Sequence, residues 1–194
     1  MSFILASGSA SRRAILSAAG TDFQIDPADL DEAALSEAFQ GPTEFLPLKL
    51  AEEKALAVSQ RHKGALVLGA DQILEFEGEV FGKASSAPDA RERLARFRGQ
   101  THRLIGGIAA VRDGHVVWRF QSECRMEMRD FSDAFLDRYI ENAGDILTTG
   151  VGAYAYEGLG AQLFSSVQGD YYAVLGLPLL PVLAMLREQG VLEE

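Results

Sequence analysis

The stretch Phe3-Ile4-Leu5-Ala6-Ser7-Gly8-Ser9-Ala10-Ser11-Arg12-Arg13-Ala14-Ile15-Leu16 decides the fold class. Its apolar start reads as a buried strand. The strand stops at a loop of Ser, Gly and Ala. A helix pattern follows from Arg12, with Ile15, Leu16 and Ala19 on one face and Gly20 as its stop. Strand, small-residue loop and helix start together present unpaired backbone N–H groups at the positive end of a helix dipole. Such a place suits a phosphate or another anion. Arg12 and Arg13 in the first turn oppose that dipole, which asks for something strongly negative facing them. A capped surface helix with solvated arginines accounts for the same pattern, and the stretch alone does not separate the two.

Strands and helices continue to alternate along the chain. Residues 65–70 form a continuous apolar run, the pattern of a central strand covered on both faces. Residues 72–76 and 79–81 flank Glu77-Gly78 as a hairpin. Residues 101–111 and 115–128 flank Arg112-Asp113-Gly114 as a longer one with an Asp-Gly turn signal. Leu48, Ala51, Ala55 and Val58 keep helical spacing, with Pro47 in the first turn. Ser86 caps a further helix with Pro88 just inside it, and Ser132 caps one lined by Phe135, Leu136, Tyr139 and Ile140. Residues 178–189 form the last, closed by Gly190. The expected class is α/β, with a mixed twisted sheet and flanking helices. We expect a single domain over residues 1–194, shaped as two lobes around a cleft.

The composition, 47% hydrophobic and 24% charged, is that of an ordinary globular chain. A net charge of −10 argues against a nucleic-acid polymer as partner, because that would need a basic face. It also means that a phosphate site must gather its few cations locally. The single cysteine, Cys124, excludes a disulfide framework and a Cys-rich zinc site, and its surroundings read as an ordinary strand. His62, His102 and His115 lack metal-pair spacing, so a bound metal would have oxygen ligands, as Mg²⁺ or Mn²⁺ does. No apolar run reaches the ~18 residues of a membrane span. The start lacks the basic region of a signal peptide, so a cytoplasmic protein without a membrane partner is expected.

Asp71 follows the apolar run ending at Ala70, where open α/β sheets place ligand-facing groups; a turn-forming aspartate fits equally. Asp31 and Glu32 precede Ala33-Ala34-Leu35, so one acid can cap that helix, Asp31 the better placed. Lys54 lies on the helix of Ala51 and Ala55, either reaching a cleft or solvated. Lys83, in Phe81-Gly82-Lys83-Ala84-Ser85, invites a P-loop reading that fails: Gly78 and Gly82 are one residue too close and Ala84 stands where a Mg²⁺-binding hydroxyl belongs. No dinucleotide fingerprint follows a strand, and Ser7 and Ser9 lack the context of a serine nucleophile. The glycine-dense 150–160 stretch reads as turns with close backbone approach.

Taken in order, these features resemble the Maf family. The matches are Ser7-Gly8-Ser9 with Arg12, Asp31-Glu32, Ala51-Glu52-Glu53-Lys54-Ala55, Gly69-Ala70-Asp71, Gly82-Lys83, Gly99-Gln100-Thr101-His102 and Gly176-Leu177-Pro178-Leu179. Ala10 and Ala84 replace family prolines, Gly106 replaces a threonine, and Thr148-Thr149 replaces a charged pair. None of these changes removes a charged group that the chemistry implied by the resemblance needs.

The resemblance implies a nucleoside triphosphate pyrophosphatase, a hydrolase requiring a divalent cation, with water attacking the α-phosphorus. Asp71 would then be the general base, and Glu32, together with Asp71, would hold Mg²⁺ or Mn²⁺. Ser7, Ser9, Arg12, Lys54 and Lys83 would cradle the phosphates. Three positions divide pyrimidine-preferring members (Arg, Thr, Gln) from those acting on 7-methyl-GTP (Trp, Gln, Glu). Here they are Ser11, Gln72 and Glu157, which leans to 7-methyl-GTP or another guanine-like substrate. The alternatives are a dTTP/UTP pyrophosphatase and a non-catalytic nucleotide-binding regulator of cell division or septum formation. The partner is a small nucleotide, with a homodimer left open.

Overall fold

The computed structural model describes residues 2–193. In chain order its elements are β1 (Phe3–Leu5), α1 (Ala10–Ala18), β2 (Gln24–Ile25), α2 (Glu32–Ala38), α3 (Leu46–Ser59), β3 (Leu66–Phe76), β4 (Glu79–Phe81) and α4 (Ala87–Phe97). They continue with β5 (Thr101–Arg112), β6 (His115–Met128), α5 (Asp133–Ala143), α6 (Ile146–Thr149), β7 (Phe164–Gln168), α7 (Tyr171–Val174) and α8 (Leu179–Glu188). Short 3₁₀ turns occupy Thr43–Phe45 and Leu159–Leu163.

The strands form one seven-stranded sheet in the order β2-β1-β3-β5-β6-β7, with β4 attached to β3. β1 runs parallel to β2 and β3, with Phe3 opposite Leu66 and Leu5 opposite Leu68. β4 and β7 pair antiparallel with β3 and β6. The sheet is mixed and helices flank it, as the alternating pattern indicates.

Local signals account for most boundaries. Ser9, Asp31, Ser86 and Ser132 each cap a helix, accepting from the backbone N–H of Arg12, Ala34, Asp89 and Phe135. Glu77-Gly78 and Asp113-Gly114 make two-residue turns with positive φ at both positions, the geometry that matches strand twist. One expectation changes. The expected segments 65–70 and 72–76 are not two but, save for Ala65, one strand, β3, so Asp71 sits inside a strand rather than at its end. A carboxylate is tolerated there because cations stand beside it, as described below. The short β2, α6, β7 and α7 carried no periodic signal and are additions to the sequence reading.

The chain divides into two compact units. The first comprises the chain through Gln72, Gly106–Ser122 and the segment from Tyr171; the second comprises Ile73–Ile105 and Glu123–Asp170. In the first, alternation along β1 sends Phe3 and Leu5 to one face and Ile4 with Ala6 to the other. The Phe3 face packs with Ile15 and Leu16 of α1 and Val182, Met185 and Leu186 of α8. The Ile4 face packs with Ala55 and Val58 of α3. Two glycines bring α3 down onto the sheet. A Cβ at position 69 would stand 2.0 Å from the Ala51 carbonyl oxygen, and one at position 107 would stand 2.1 Å from the Leu48 nitrogen. The second unit centres on Phe97, whose ring lies 4.9 Å from Phe76 and 5.1 Å from Phe81. Leu94, Met126, Met128, Leu136 and Tyr139 are also buried in this unit.

Candidate active site

The close approach of α3 through Gly69 sets Lys54, on that helix, against Asp71 on β3. The Lys54 Nζ donates to Asp71 Oδ1 at 2.6 Å and to Glu32 Oε2 at 2.9 Å. Lys54 is 8% exposed and Asp71 9%, whereas Glu32 remains open to solvent. Lys54 is therefore the buried centre of a carboxylate–ammonium–carboxylate array, not a solvated helix lysine. Asp31 caps α2 through Ala34 and so sets Glu32 in its first helical position. Asp31 thus takes the capping role for which it was the better placed, and Glu32 meets Lys54.

Burial pushes the Asp71 carboxyl above the ordinary aspartate range. Lys54 and Arg12 pull it back, and Glu32 adds to the upward push. Both bonded oxygens touch one Nζ atom, so they stand no further apart than the sum of the two distances, about 5.5 Å. Ligand oxygens on a hard cation at ~2.0–2.2 Å fall within that span. Among the described residues no group of three or more His, Cys, Asp or Glu side chains is placed to hold a metal. The array fits a cation only as a partial set of two carboxylates, with substrate oxygens and water completing it.

Arg12 is occupied by the protein itself. Its Nε donates to the Gly176 carbonyl at 2.9 Å, and its Nη1 donates to the Ala70 carbonyl at 2.8 Å and to Ser7 Oγ at 3.1 Å. The guanidinium thus ties the Ser7 loop, β3 and the turn before α8 together beside Asp71. Gly176 has φ +93°, a backbone region that favours glycine, and it directs its carbonyl at Arg12. Ser9 Oγ caps α1, and the Ser9 N–H donates to Ser7 Oγ at 3.3 Å. The backbone N–H groups of Gly8, Ala10 and Ser11 make no hydrogen bond among the described residues. Gln72, next to Asp71, donates its amide to the Ala173 carbonyl at 2.9 Å and keeps its Oε1 for another donor. Ser11 is half-buried in the first turn of α1. Ser7, Ser9, Ser11, Arg12, Glu32, Lys54, Asp71 and Gln72 all lie in the first unit.

Lys83 and Glu157 belong to the second unit. Both are exposed and neither makes an ion pair among the described residues. Arg93, a residue the sequence reading passed over, donates to the Gly82 carbonyl beside Lys83 and to the Val151 carbonyl at 3.0 Å. His102 is buried and bonds Tyr154 Oη through Nε2 at 2.6 Å. Its scattered place in the sequence gave no hint of that partner. Cys124 is buried on β6, and burial raises its thiol pKa to about 11, which leaves no thiolate at neutral pH.

A family model described as "Maf-like protein" matches residues 2–189. A protein of Maricaulis maris named "Nucleoside triphosphate pyrophosphatase" is 53% identical over 193 residues, covering 99% of this chain and 98% of that protein. A protein of Brucella suis named "7-methyl-GTP pyrophosphatase" is 42% identical over 194 residues, covering 98% and 97%. Among solved structures, a HAM1 protein from Coxiella burnetii aligns with a TM-score of 0.44 at 14% identity, over 68% of this chain and 74% of that one.

Proposed function

This chain belongs to the Maf family, and we propose that it hydrolyses nucleoside triphosphates to a monophosphate and diphosphate, with Asp71 as the base. The observation that carries the reading is the buried Lys54 joined to both Asp71 and Glu32. A carboxylate held inside a strand, with its pKa pushed up, is a better proton acceptor near neutral pH than an exposed aspartate.

In the reaction the oxygen of water forms a bond to the α-phosphorus. The bond from that phosphorus to the bridging oxygen breaks, and diphosphate leaves with the electron pair. Asp71 takes the water proton. Lys54 orients the Asp71 carboxylate and counters the charge of the phosphates. The free N–H groups of Gly8, Ala10 and Ser11 at the start of α1 receive phosphate oxygens. Arg12 holds that loop against Asp71, with Nη2 left to reach the substrate. Ser7 and Ser9 shape the loop, and Lys83 adds a further phosphate contact. Glu32 and Asp71 would hold Mg²⁺ or Mn²⁺, and such an ion, when bound, shields the triphosphate and stabilises charge on the departing diphosphate.

Glu157 is proposed to read the base. A free carboxylate accepts from both N1–H and the N2 amino group of guanine, and no pyrimidine offers that pair on one edge. Gln72 Oε1 supplies a further acceptor. Ser11 has no aromatic face to stack on a cationic methylated base, an interaction of about 1–2 kcal/mol. The substrate preference is therefore guanine-like with weak selection for the methyl group, and the Brucella suis relative's name is in keeping with it.

Asp71→Asn tests the assignment. It keeps the shape and removes the base, so turnover should fall ~10²–10⁴-fold while nucleotide binding, followed by calorimetry, persists. Near-normal kcat in that variant would move the base elsewhere, with Glu32 the next candidate.

A further inference from the structure

His102 is 1% exposed and sits among rings, stacked on Phe97 at 5.2 Å and 6.0 Å from Phe164. An apolar ring would suit this place better than an imidazole. Its Nδ1 is buried without a partner among the described residues, so the side chain's one hydrogen bond there is the 2.6 Å contact with Tyr154 Oη. Tyr154 is itself buried, and that bond is the one its hydroxyl makes. If Tyr154 donates to Nε2, a single polar group, Nδ1–H, is left unsatisfied. The opposite tautomer leaves two, the tyrosine hydrogen and the Nδ1 lone pair. The first arrangement is favoured, with a neutral His102 accepting. Burial agrees, holding the imidazole pKa down to about 4.

What this bond holds is a turn with little regular structure of its own. Ala153 lies at φ +56°, a left-handed conformation that a residue with a Cβ keeps only when its surroundings impose it. Tyr139 Oη on α5 donates to the Ala153 carbonyl at 3.0 Å, and Arg93 on α4 donates to the Val151 carbonyl at 3.0 Å. Gly152 and Gly160 are packed so tightly on Tyr154 that an added Cβ would stand 2.3 Å from its ring or 2.9 Å from its Cβ. Side chains from three separate elements therefore fix residues 151–154. Immediately afterwards the Gly158 N–H donates to the Ala155 carbonyl at 3.1 Å, closing a turn with the exposed Glu157 at its corner.

We propose that His102, acting through Tyr154, is a positioning residue that sets where Glu157 is presented, and that it governs selection of the base rather than cleavage of the phosphoanhydride. This rests on the reading of Glu157 as the group that meets the base.

The test measures kcat and KM for GTP and dTTP in the parent enzyme and in His102→Phe, His102→Gln, Tyr154→Phe and Glu157→Gln. Phenylalanine fills the ring site but cannot accept a hydrogen bond. Glutamine places an acceptor near the position of Nε2. Loss of one hydrogen bond should lower the GTP-over-dTTP ratio of kcat/KM about tenfold in His102→Phe and Tyr154→Phe. The loss should appear as a higher KM for GTP with kcat changed less than about threefold, and Glu157→Gln should show a fall of similar kind. His102→Gln should restore most of the ratio. Tyr154→Phe, which removes one oxygen atom, carries the test if the histidine variants fold poorly. A ratio kept by both Phe variants but lost in Glu157→Gln overturns this proposal alone. A parallel fall of kcat for both nucleotides also overturns it, since that is what a purely structural residue gives. A ratio unmoved by Glu157→Gln overturns the reading of Glu157, and this proposal with it.

Discussion

Replacing Lys54 with methionine keeps the length of the side chain and removes the charge 2.6 Å from Asp71 and 2.9 Å from Glu32. At an effective dielectric near 20, opposite charges about 4 Å apart attract by roughly 4 kcal/mol. That is a ceiling on how far the ammonium favours the ionised Asp71 carboxylate. Burial still raises the Asp71 pKa and Arg12 still pulls it back, so losing Lys54 lets it climb further above the ordinary aspartate range. The sign follows from linkage. Burial already holds the folded Asp71 pKa above its unfolded value, so the native state binds this proton more tightly and the group opposes folding once it is ionised. Removing Lys54 widens the interval upward. Urea denaturation across a pH series should show Lys54→Met gaining more stability than the parent as pH falls toward the unfolded aspartate pKa of about 3.9. The acid limb of its kcat/KM profile should shift to higher pH. Lost phosphate binding lowers the whole profile without moving that limb, so the limb separates the two effects. An acid limb that coincides with the parent's would show that Lys54 does not control the ionisation of Asp71.

Gly69→Ala puts a Cβ 2.0 Å from the Ala51 carbonyl oxygen, backbone that cannot swing aside. It should cost about 1–3 kcal/mol of stability in denaturant melts and, by lifting α3, should reduce kcat even where the variant is fully folded. His102 supplies a pH signature. Its folded pKa of about 4 lies below the unfolded 6.5, so stability present above pH 6.5 is lost as pH falls toward 4. The loss has a ceiling of roughly 3 kcal/mol, from 1.36 kcal/mol per unit. Melts of the parent and of His102→Phe at neutral and acid pH should differ by that slope, and equal slopes would contradict a buried neutral imidazole.

The helix starts and hairpin turns of both units were legible in the sequence because their signals are local. Ser9, Asp31, Ser86 and Ser132 cap helices through their own side chains, and Glu77-Gly78 and Asp113-Gly114 are turns whose residues specify the backbone. Asp71, Glu32 and Lys54 were legible as candidates from spacing and resemblance, but not as an array. That array depends on Gly69 and Gly107 admitting a helix backbone, a long-range contact with no periodic trace. The continuous apolar run ends at Ala70 because Asp71 is polar, whereas Lys54 and Arg12 allow β3 to run on to Phe76. Arg93, Tyr139 and the His102–Tyr154 bond join residues from 11 to 58 positions apart, beyond what a local window can see. Ala153 carries no mark in the sequence of the left-handed turn it adopts.

The central claim is that water adds to the α-phosphorus. Hydrolysis of GTP with Mg²⁺ or Mn²⁺ in water carrying heavy oxygen, with the products resolved by mass spectrometry, locates the new bond directly. The account predicts the label in the nucleoside monophosphate and none in the diphosphate. Label in the diphosphate, or release of orthophosphate with a nucleoside diphosphate, would contradict it.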